Sequence, residues 1–379
     1  MKILVAMDSF KGSLNSREAN GAVNDGIKKA CPTAYVLQYQ IADGGEGTVE
    51  ALLQKQDYER ITVKVTDPLG RKVNAQYCII SEKKTAVMEM SQAAGLTLLK
   101  ENERNPIYTT TFGVGEMIRD AIGRGILDFV IGIGGSATND AGIGMLQALG
   151  YEFKDENGKE VGFGSDGLSK VKSIRNDRVI PEIYDCQFRV ACDVSNPLYG
   201  KQGCSMVFGR QKGAGPDLTY KMDAWMQQYA AVVKTILPHA DADYPGAGAA
   251  GGLGYAFHTF LNAELVSGIS LVLEWSGIEE AVRQADIVIT GEGKLDAQTL
   301  MGKTPFGVAQ IAKKFGKPVI ALAGAVGSDT ETLNDNGIDA FFPIVDCART
   351  LEEAMDKTVA YENLKRTAEQ VMRLIGRRE

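Results

Sequence analysis

Five loops of the 379-residue chain gather side chains able to move a proton, hold a cation or meet an anion. In MDSFKGSL, Asp8 follows an apolar run, with Ser9, Lys11 and Ser13 in the turn. A carboxylate there can hold a metal, take a proton or merely cap a turn, while Lys11 can meet a phosphate or a carboxylate. ADGGEGT sets Asp43 and Glu46 around glycines, an arrangement suited to Mg²⁺ or substrate hydroxyls, or to capping the helix that follows. GIGGSATNDAG leaves the apolar run FVIGI through Gly132, Gly134 and Gly135 into Ser136, Thr138, Asn139 and Asp140. Such a loop is a backbone-rich anion cradle with hydroxyls on its rim. CDVSNPL offers Asp193, a candidate general base on a substrate hydroxyl or the head of an Asx-turn. TGEGKLDAQTLMGKTP collects Glu292, Lys294, Asp296 and Lys303; acids suit Mg²⁺ and lysines suit phosphoryl oxygens.

Two motif matches compete with these readings. Gly132, Gly134 and Ala137 satisfy the G-x-G-x-x-A dinucleotide pattern, and Glu152 lies 20 residues beyond Gly132. A Rossmann site needs that acid at the end of a second parallel strand, whereas Glu152 heads the hairpin-like YEFKDENGKEV. Ala297 to Thr304, AQTLMGKT, fits a relaxed phosphate-loop pattern. A true P-loop leaves its strand directly and is glycine-rich inside, and this stretch does neither. The cysteines form no CxxC pair, and His239 and His258 are the only histidines. Zinc sites and Ser-His-Asp chemistry are therefore not indicated. Acids, loop lysines and several anion cradles together favour phosphoryl transfer, which needs mainly positioning and charge neutralisation.

The elements that must position these loops follow from composition and pattern. The chain is 44% hydrophobic, carries 43 glycines where average usage of about 7% would supply about 26, and has a net charge of −7. That balance excludes a disordered chain and argues against a nucleic-acid binder. MKILVAMDSF lacks the form of a signal peptide, and no run of about 18 apolar residues suggests a membrane span, so a cytoplasmic protein is expected.

Short apolar strands alternate with helical periods at both ends: Lys2–Met7, a helix over Ser16–Ala30, Tyr35–Ile41, then ADIVITG, KPVIALAG and DAFFPIV, with a last helix over Leu351–Ile375. This is βαβ texture around a parallel sheet. Between them, ITVKV, VNAQYCII and TAVMEM read as an antiparallel meander, FKDENGKEV as a hairpin and Leu218–Leu237 as a helix. The expected fold is α/β: a discontinuous α/β domain from 1–62 and 285–379, and an inserted mixed α+β domain over 63–284, with the active site in the cleft between them.

Taken in order, MDSFKGSL, IADGGEGT, IGGSATNDAG, CDVSNPL, GAGAAGGLG and TGEGKLDAQTLMGKTPFGVA span the chain. Together they resemble the bacterial type 1 glycerate kinase family. The resemblance implies an ATP- and Mg²⁺-dependent kinase that phosphorylates a hydroxyl of D-glycerate, with 2-phosphoglycerate the expected product and the 3-phosphate the alternative. Within that frame the chemistry of the residues gives each a role. Lys11 and Lys294 neutralise phosphoryl oxygens or the glycerate carboxylate, and Asp193 is the candidate base. Asp43 and Asp296 are the candidate metal ligands, while Asp8, Ser9, Lys11, Asp43 and Glu46 face the substrate. Gly134, Gly135, Ser136 and Thr138 cradle nucleotide phosphates. A nicotinamide-dependent sugar-acid oxidoreductase and a non-catalytic anion sensor are the rival readings. No oligomeric state is indicated.

Overall fold

The computed structural model describes residues 1–42, 48–296, 299–300 and 303–376. In chain order its strands are β1 (Lys2–Met7), β2 (Tyr35–Gln38), β3 (Tyr58–Thr66), β4 (Lys72–Ile80), β5 (Thr85–Glu89), β6 (Asp128–Gly132), β7 (Glu152–Lys154), β8 (Ser173–Arg175), β9 (Gln187–Ala191), β10 (Glu264–Val266), β11 (Ile287–Leu295), β12 (Val319–Val326) and β13 (Ala340–Pro343). Contacts divide the chain into two compact units. One takes the described residues up to 42, Glu50–Lys55 and those from Ser267 onward; the other takes Thr48, Val49 and Gln56–Val266.

The first unit is built on a sheet of order β13-β12-β11-β1-β2, parallel throughout. Ile3 to Met7 are wholly buried, as a parallel strand covered on both faces requires; full burial of each of the larger side chains, Ile3, Leu4, Val5 and Met7, stabilises by about 1.5–3 kcal/mol. The helix Ser16–Ala30 begins at Asn15, whose side chain accepts from the Glu18 N–H while Glu18 reaches back to the Asn15 N–H. This capping box satisfies two orphan donors and sets the helix start. Its buried face, Ala19, Ala22, Val23 and Ile27, shares one core with Leu364, Ala368 and Met372 of the helix Lys357–Ile375. Gly26 permits that approach, because a Cβ there would lie 2.2 Å from the Lys365 carbonyl oxygen. Buried Asn20 then ties two strand ends together, accepting from the Met7 N–H at 2.9 Å and donating to the Tyr39 carbonyl at 2.8 Å. The chain therefore leaves β1 at Asp8 from a fixed point.

The second unit holds a sheet of order β10-β9-β6-β5-β4-β3. Its β5, β6, β9 and β10 run parallel, while β3, β4 and β5 form the antiparallel meander read from the sequence. Phe129 stacks on Phe188 with ring centroids 4.8 Å apart, joining β6 to β9 within a large apolar core. The α/β fold class expected from the sequence is thus present.

Two local expectations are amended. In FKDENGKEV the hairpin forms, with Lys154 bridging Glu160 antiparallel and Asp155 accepting from the N–H groups of Asn157 and Lys159 at the turn, and β7 takes a further antiparallel partner in β8, some 20 residues later. The turn and its two arms were legible, and the pairing with β8 was not. The last helix also divides into Leu351–Met355 and Lys357–Ile375. Asp356 caps the second piece by accepting from the N–H groups of Thr358 and Val359, a competing local bond that a continuous helix forgoes.

The glycine run of the second unit serves packing. Ala250, Gly251 and Gly252 adopt left-handed backbone with φ of 52°, 70° and 89°. A Cβ on Gly251 would sit 2.1 Å from the Thr138 carbonyl oxygen, and one on Gly248 would sit 2.2 Å from that of Pro197. The run therefore seats backbone against backbone beneath the loop that follows β6. Among the described residues, no helix is long and apolar enough to cross a membrane.

Candidate active site

In the first unit β1 ends at Met7, opposite Gly291 of its neighbour β11, which runs on to Leu295. The Asp8 N–H donates to the Gly291 carbonyl at 2.9 Å, which places Asp8 and Glu292 together at the carboxyl edge of the sheet, where open α/β sheets bind ligands. Gly291 has to be glycine, since its Cβ would lie 2.0 Å from the Leu322 carbonyl oxygen. Asp8 is buried. One of its oxygens accepts from the Ser9 N–H at 2.6 Å and the other from Thr304 Oγ1 at 2.7 Å.

Glu292 is also buried, at 8% exposure. Its Oε1 accepts from Thr299 Oγ1 at 2.9 Å, and its Oε2 lies 3.4 Å from Lys303 Nζ. Burial pushes its carboxyl up to about 7; Lys303 and Thr299 pull against that shift, and the charge of Asp8 adds to it. Lys303 Nζ also stands 3.7 Å from Asp296 Oδ1, and Lys294 Nζ stands 3.1 Å from Asp296 Oδ2. Lys303 precedes the helix Thr304–Lys314 at its N-cap. A cavity of about 360 Å³ opens beside this network, with Asp8, Ser9, Lys11, Glu292, Lys294 and Lys303 among its lining. Asp8, Ser9, Lys11, Lys294 and Asp296 therefore gather in one place, and Glu292 and Lys303, noticed in the sequence but given no role, join them. Asp43 and Glu46 lie outside the described residues, as do four positions of the stretch AQTLMGKT.

In the second unit, β6 and β9 are parallel neighbours with Gly132 opposite Ala191. The loops carrying Gly134 and Asp193 thus leave the same sheet edge. Gly134, Gly135 and Asp193 are exposed, whereas Ser136 is buried and Thr138 fully so. The loop is knitted inward: the Ala137 N–H donates to Ala94, the Ala141 N–H donates to Gly251, and the Gly135 carbonyl accepts from Leu96. Thr138, expected on the rim of a phosphate cradle, turns into the protein, where its carbonyl accepts from Lys212 Nζ at 2.6 Å. Asp140 accepts from the N–H and hydroxyl of Thr111, each at 2.9 Å, and from the Gly142 N–H at 3.1 Å. Burial nonetheless holds its carboxyl above the usual range.

Lys212 is the residue sequence reasoning missed. It is 1% exposed, and burial lowers its ammonium to about 8. Its only sequence signal was the glycine-rich QKGAGP around it. Both histidines are structural: His239 bonds the Thr259 carbonyl, and His258 bonds Ala263 while stacking on Tyr244. Glu152 begins the antiparallel β7 and pairs with Lys154 and Arg178, so it does not end a second parallel strand as the acid of a dinucleotide fingerprint does.

Acids and lysines collected at the carboxyl edge of a parallel sheet, around a cavity of ligand size, define an α/β phosphotransferase. A family model takes this further. The chain belongs to the glycerate kinase family, whose model matches residues 3–376, and it is accordingly an enzyme, a kinase. It is 45% identical over 372 residues to the glycerate 2-kinase of Escherichia coli K12, covering 98% of this chain and 97% of that one. It is 44% identical over 371 residues to the glycerate kinase of Bacillus subtilis 168, again covering 98% and 97%. A crystal structure from Salmonella typhimurium LT2, whose description names glycerate kinase 2, superposes with a TM-score of 0.85 at 42% identity, covering all of this chain and 98% of that one.

Proposed function

We propose that this chain transfers the γ-phosphoryl group of ATP to the 2-hydroxyl of D-glycerate, in the cytoplasm, with Mg²⁺ as the cation that neutralises phosphate charge. The observation that carries the reading is the network of Asp8, Glu292, Asp296, Lys294 and Lys303 beside the cavity of the first unit. The choice of hydroxyl follows the Escherichia coli relative, named a glycerate 2-kinase.

Phosphoryl transfer asks the protein for positioning and charge more than for covalent chemistry. Lys11 and Lys294 meet phosphoryl oxygens. Asp8 and Asp296 are the described carboxylates fit to hold Mg²⁺, with Asp43 the further candidate from the sequence. Mg²⁺ takes one or two protein carboxylates and completes its shell with phosphate oxygens and water. That mode suits a site where, among the described residues, no three metal-ligating side chains gather into a cage. The glycerate hydroxyl oxygen bonds to the γ-phosphorus as the bond to the bridging oxygen breaks; ADP leaves, and the hydroxyl proton passes to a carboxylate. Asp193, exposed at the end of β9, is the candidate for that base, and the exposed Gly134 and Gly135 offer their backbone to an oxyanion of either substrate.

A coupled assay for ADP release on adding D-glycerate, followed by phosphorus NMR of the product, tests the reading. A 2-phosphate is expected; a 3-phosphate would overturn the regiochemistry, and no ADP release would overturn the reaction. Asp193→Asn and Asp296→Asn are each expected to cut kcat about 100-fold or more, on the scale of lost acid–base and electrostatic contributions. Near-full turnover in both folded variants would remove both acids from the chemistry.

A further inference from the structure

We infer that the cavity of the first unit is the nucleoside pocket, taking the base and ribose of ATP against an apolar wall with the phosphates toward Lys11, Lys294 and Lys303. The inference rests on the kinase reading above and says where its nucleotide lies. The cavity has two chemistries. One side carries the lysines and acids already described; the other is Phe10, Ile344, Val345, Leu351, Ala354 and Met355. At about 360 Å³ it falls within the roughly 300–1,000 Å³ typical of sites for cofactor-sized ligands.

Glycerate is a poor occupant of such a space. Nearly all its surface is carboxylate and hydroxyl, and pressing these on Leu351 or Met355 would desolvate them without partners. A nucleoside presents a flat apolar face to one side and phosphates to the other, matching both walls. Exposure supports this. Val345, Leu351 and Met355 line the cavity yet are 37%, 76% and 36% exposed, a cluster of apolar side chains that a ligand would cover.

The wall is also built in advance. Asp346 bridges to Arg366 at 2.7 Å and to Arg349 at 3.1 Å. Thr350 and Glu353 form a capping box at the start of the helix Leu351–Met355. Gly12, with φ of 80°, admits Met355 so closely that a Cβ would lie 2.6 Å from its Cε. The strap from Val345 to Met355 thus holds its apolar side chains in place without a ligand, which lowers the ordering cost of binding.

Leu351→Asp and Met355→Asp alter exposed side chains and leave the fold intact. Calorimetric titration with ADP, without glycerate, and KM for each substrate test the assignment. The expected result is a loss of about tenfold or more in ADP affinity and a matching rise in KM for ATP, with KM for glycerate within about twofold of wild type. Asp346→Asn, which only loosens the strap, shifts both nucleotide readouts in the same direction by less. Unchanged ADP affinity in the aspartate variants, or a rise confined to KM for glycerate, overturns the assignment and gives the cavity to the acceptor or to neither substrate. Should the wild type fail to phosphorylate glycerate while ADP binding still depends on Leu351, the acceptor reading falls and the nucleoside pocket stands.

Discussion

Lys212 Nζ donates to the carbonyl oxygen of Thr138 at 2.6 Å, and both residues are buried. A buried ammonium therefore holds the back of the loop whose front, Gly134 and Gly135, is exposed. Asp140, knitted to Thr111 in the same unit, lies near enough to favour the charged amine. The loop is fixed from behind by buried groups.

The burden of that charge should be readable in a pH series. Lys212 titrates near 8 in the folded protein, against about 10.4 for a solvated lysine. Between those values the unfolded chain binds more protons, so this residue makes stability rise with pH across the window. Urea unfolding of wild type and Lys212→Met from pH 7 to 10.5 checks it. The wild type is expected to gain on the variant as pH rises, and parallel curves would contradict the assignment.

Glu292 gives the opposite slope at lower pH. Its folded value of about 7 lies above the roughly 4.3 of a solvated glutamate, so the folded protein holds the proton more tightly. That contribution is complete below about pH 4 and is lost as pH rises through 7. Glu292→Gln is expected to flatten this decline in nucleotide-free protein, measured by unfolding at intervals between pH 4.5 and 8.

Thr304 is expected to act through Asp8. Thr304→Val removes the hydroxyl that donates to the buried Asp8 carboxylate, and a hydrogen bond to a charged group is worth about 1.5–3 kcal/mol. Thr304→Ser keeps the bond. The valine variant should lose kcat as well as stability while the serine variant retains most of both; equal kcat in the two would detach Thr304 from catalysis.

The left-handed run below the same loop gives a paired test. Gly251→Ala drives a Cβ to within 2.1 Å of the Thr138 carbonyl at φ of 70°, and is expected to destabilise by about 2 kcal/mol or more. Ala250 already bears the strain of φ 52°, so Ala250→Gly should be neutral or stabilise by up to about 1 kcal/mol. Thermal unfolding of the two variants, read with opposite signs, checks the account.

Much of this was legible because the local signal and the global role coincided. Ile3–Met7 is apolar throughout because it belongs to the second-from-edge strand of a parallel sheet, covered on both faces, and Asp8 follows it because strand ends feed loops at a ligand-binding edge. Thr138 was misread for a reason equally physical. A hydroxyl beside glycines suits an anion cradle, but which face of a loop turns inward depends on what packs behind it. That partner, Lys212, lies 74 residues away. Glu292 was seen as one acid in a charged stretch; only burial beside Lys303 and Asp8 distinguishes it from its neighbours. Several of the glycines from 246 to 254 approach backbone of Pro197, Thr138 and Ala141, partners too distant in sequence for the run itself to reveal.

The pairing of Ile3 with Ile287 sets a timetable for the growing chain. β1 is synthesised before its neighbour β11, which follows some 280 residues later, roughly 15–60 s at ordinary elongation rates of about 5–20 residues per second. Every strand of the second unit has by then been made. The ribosome thus delivers a completed inserted body while one of the most apolar segments of the other, KILVAM, still lacks a partner on one side. An unpaired hydrophobic strand invites association, so during synthesis the exposed liability of the first unit is concentrated in β1.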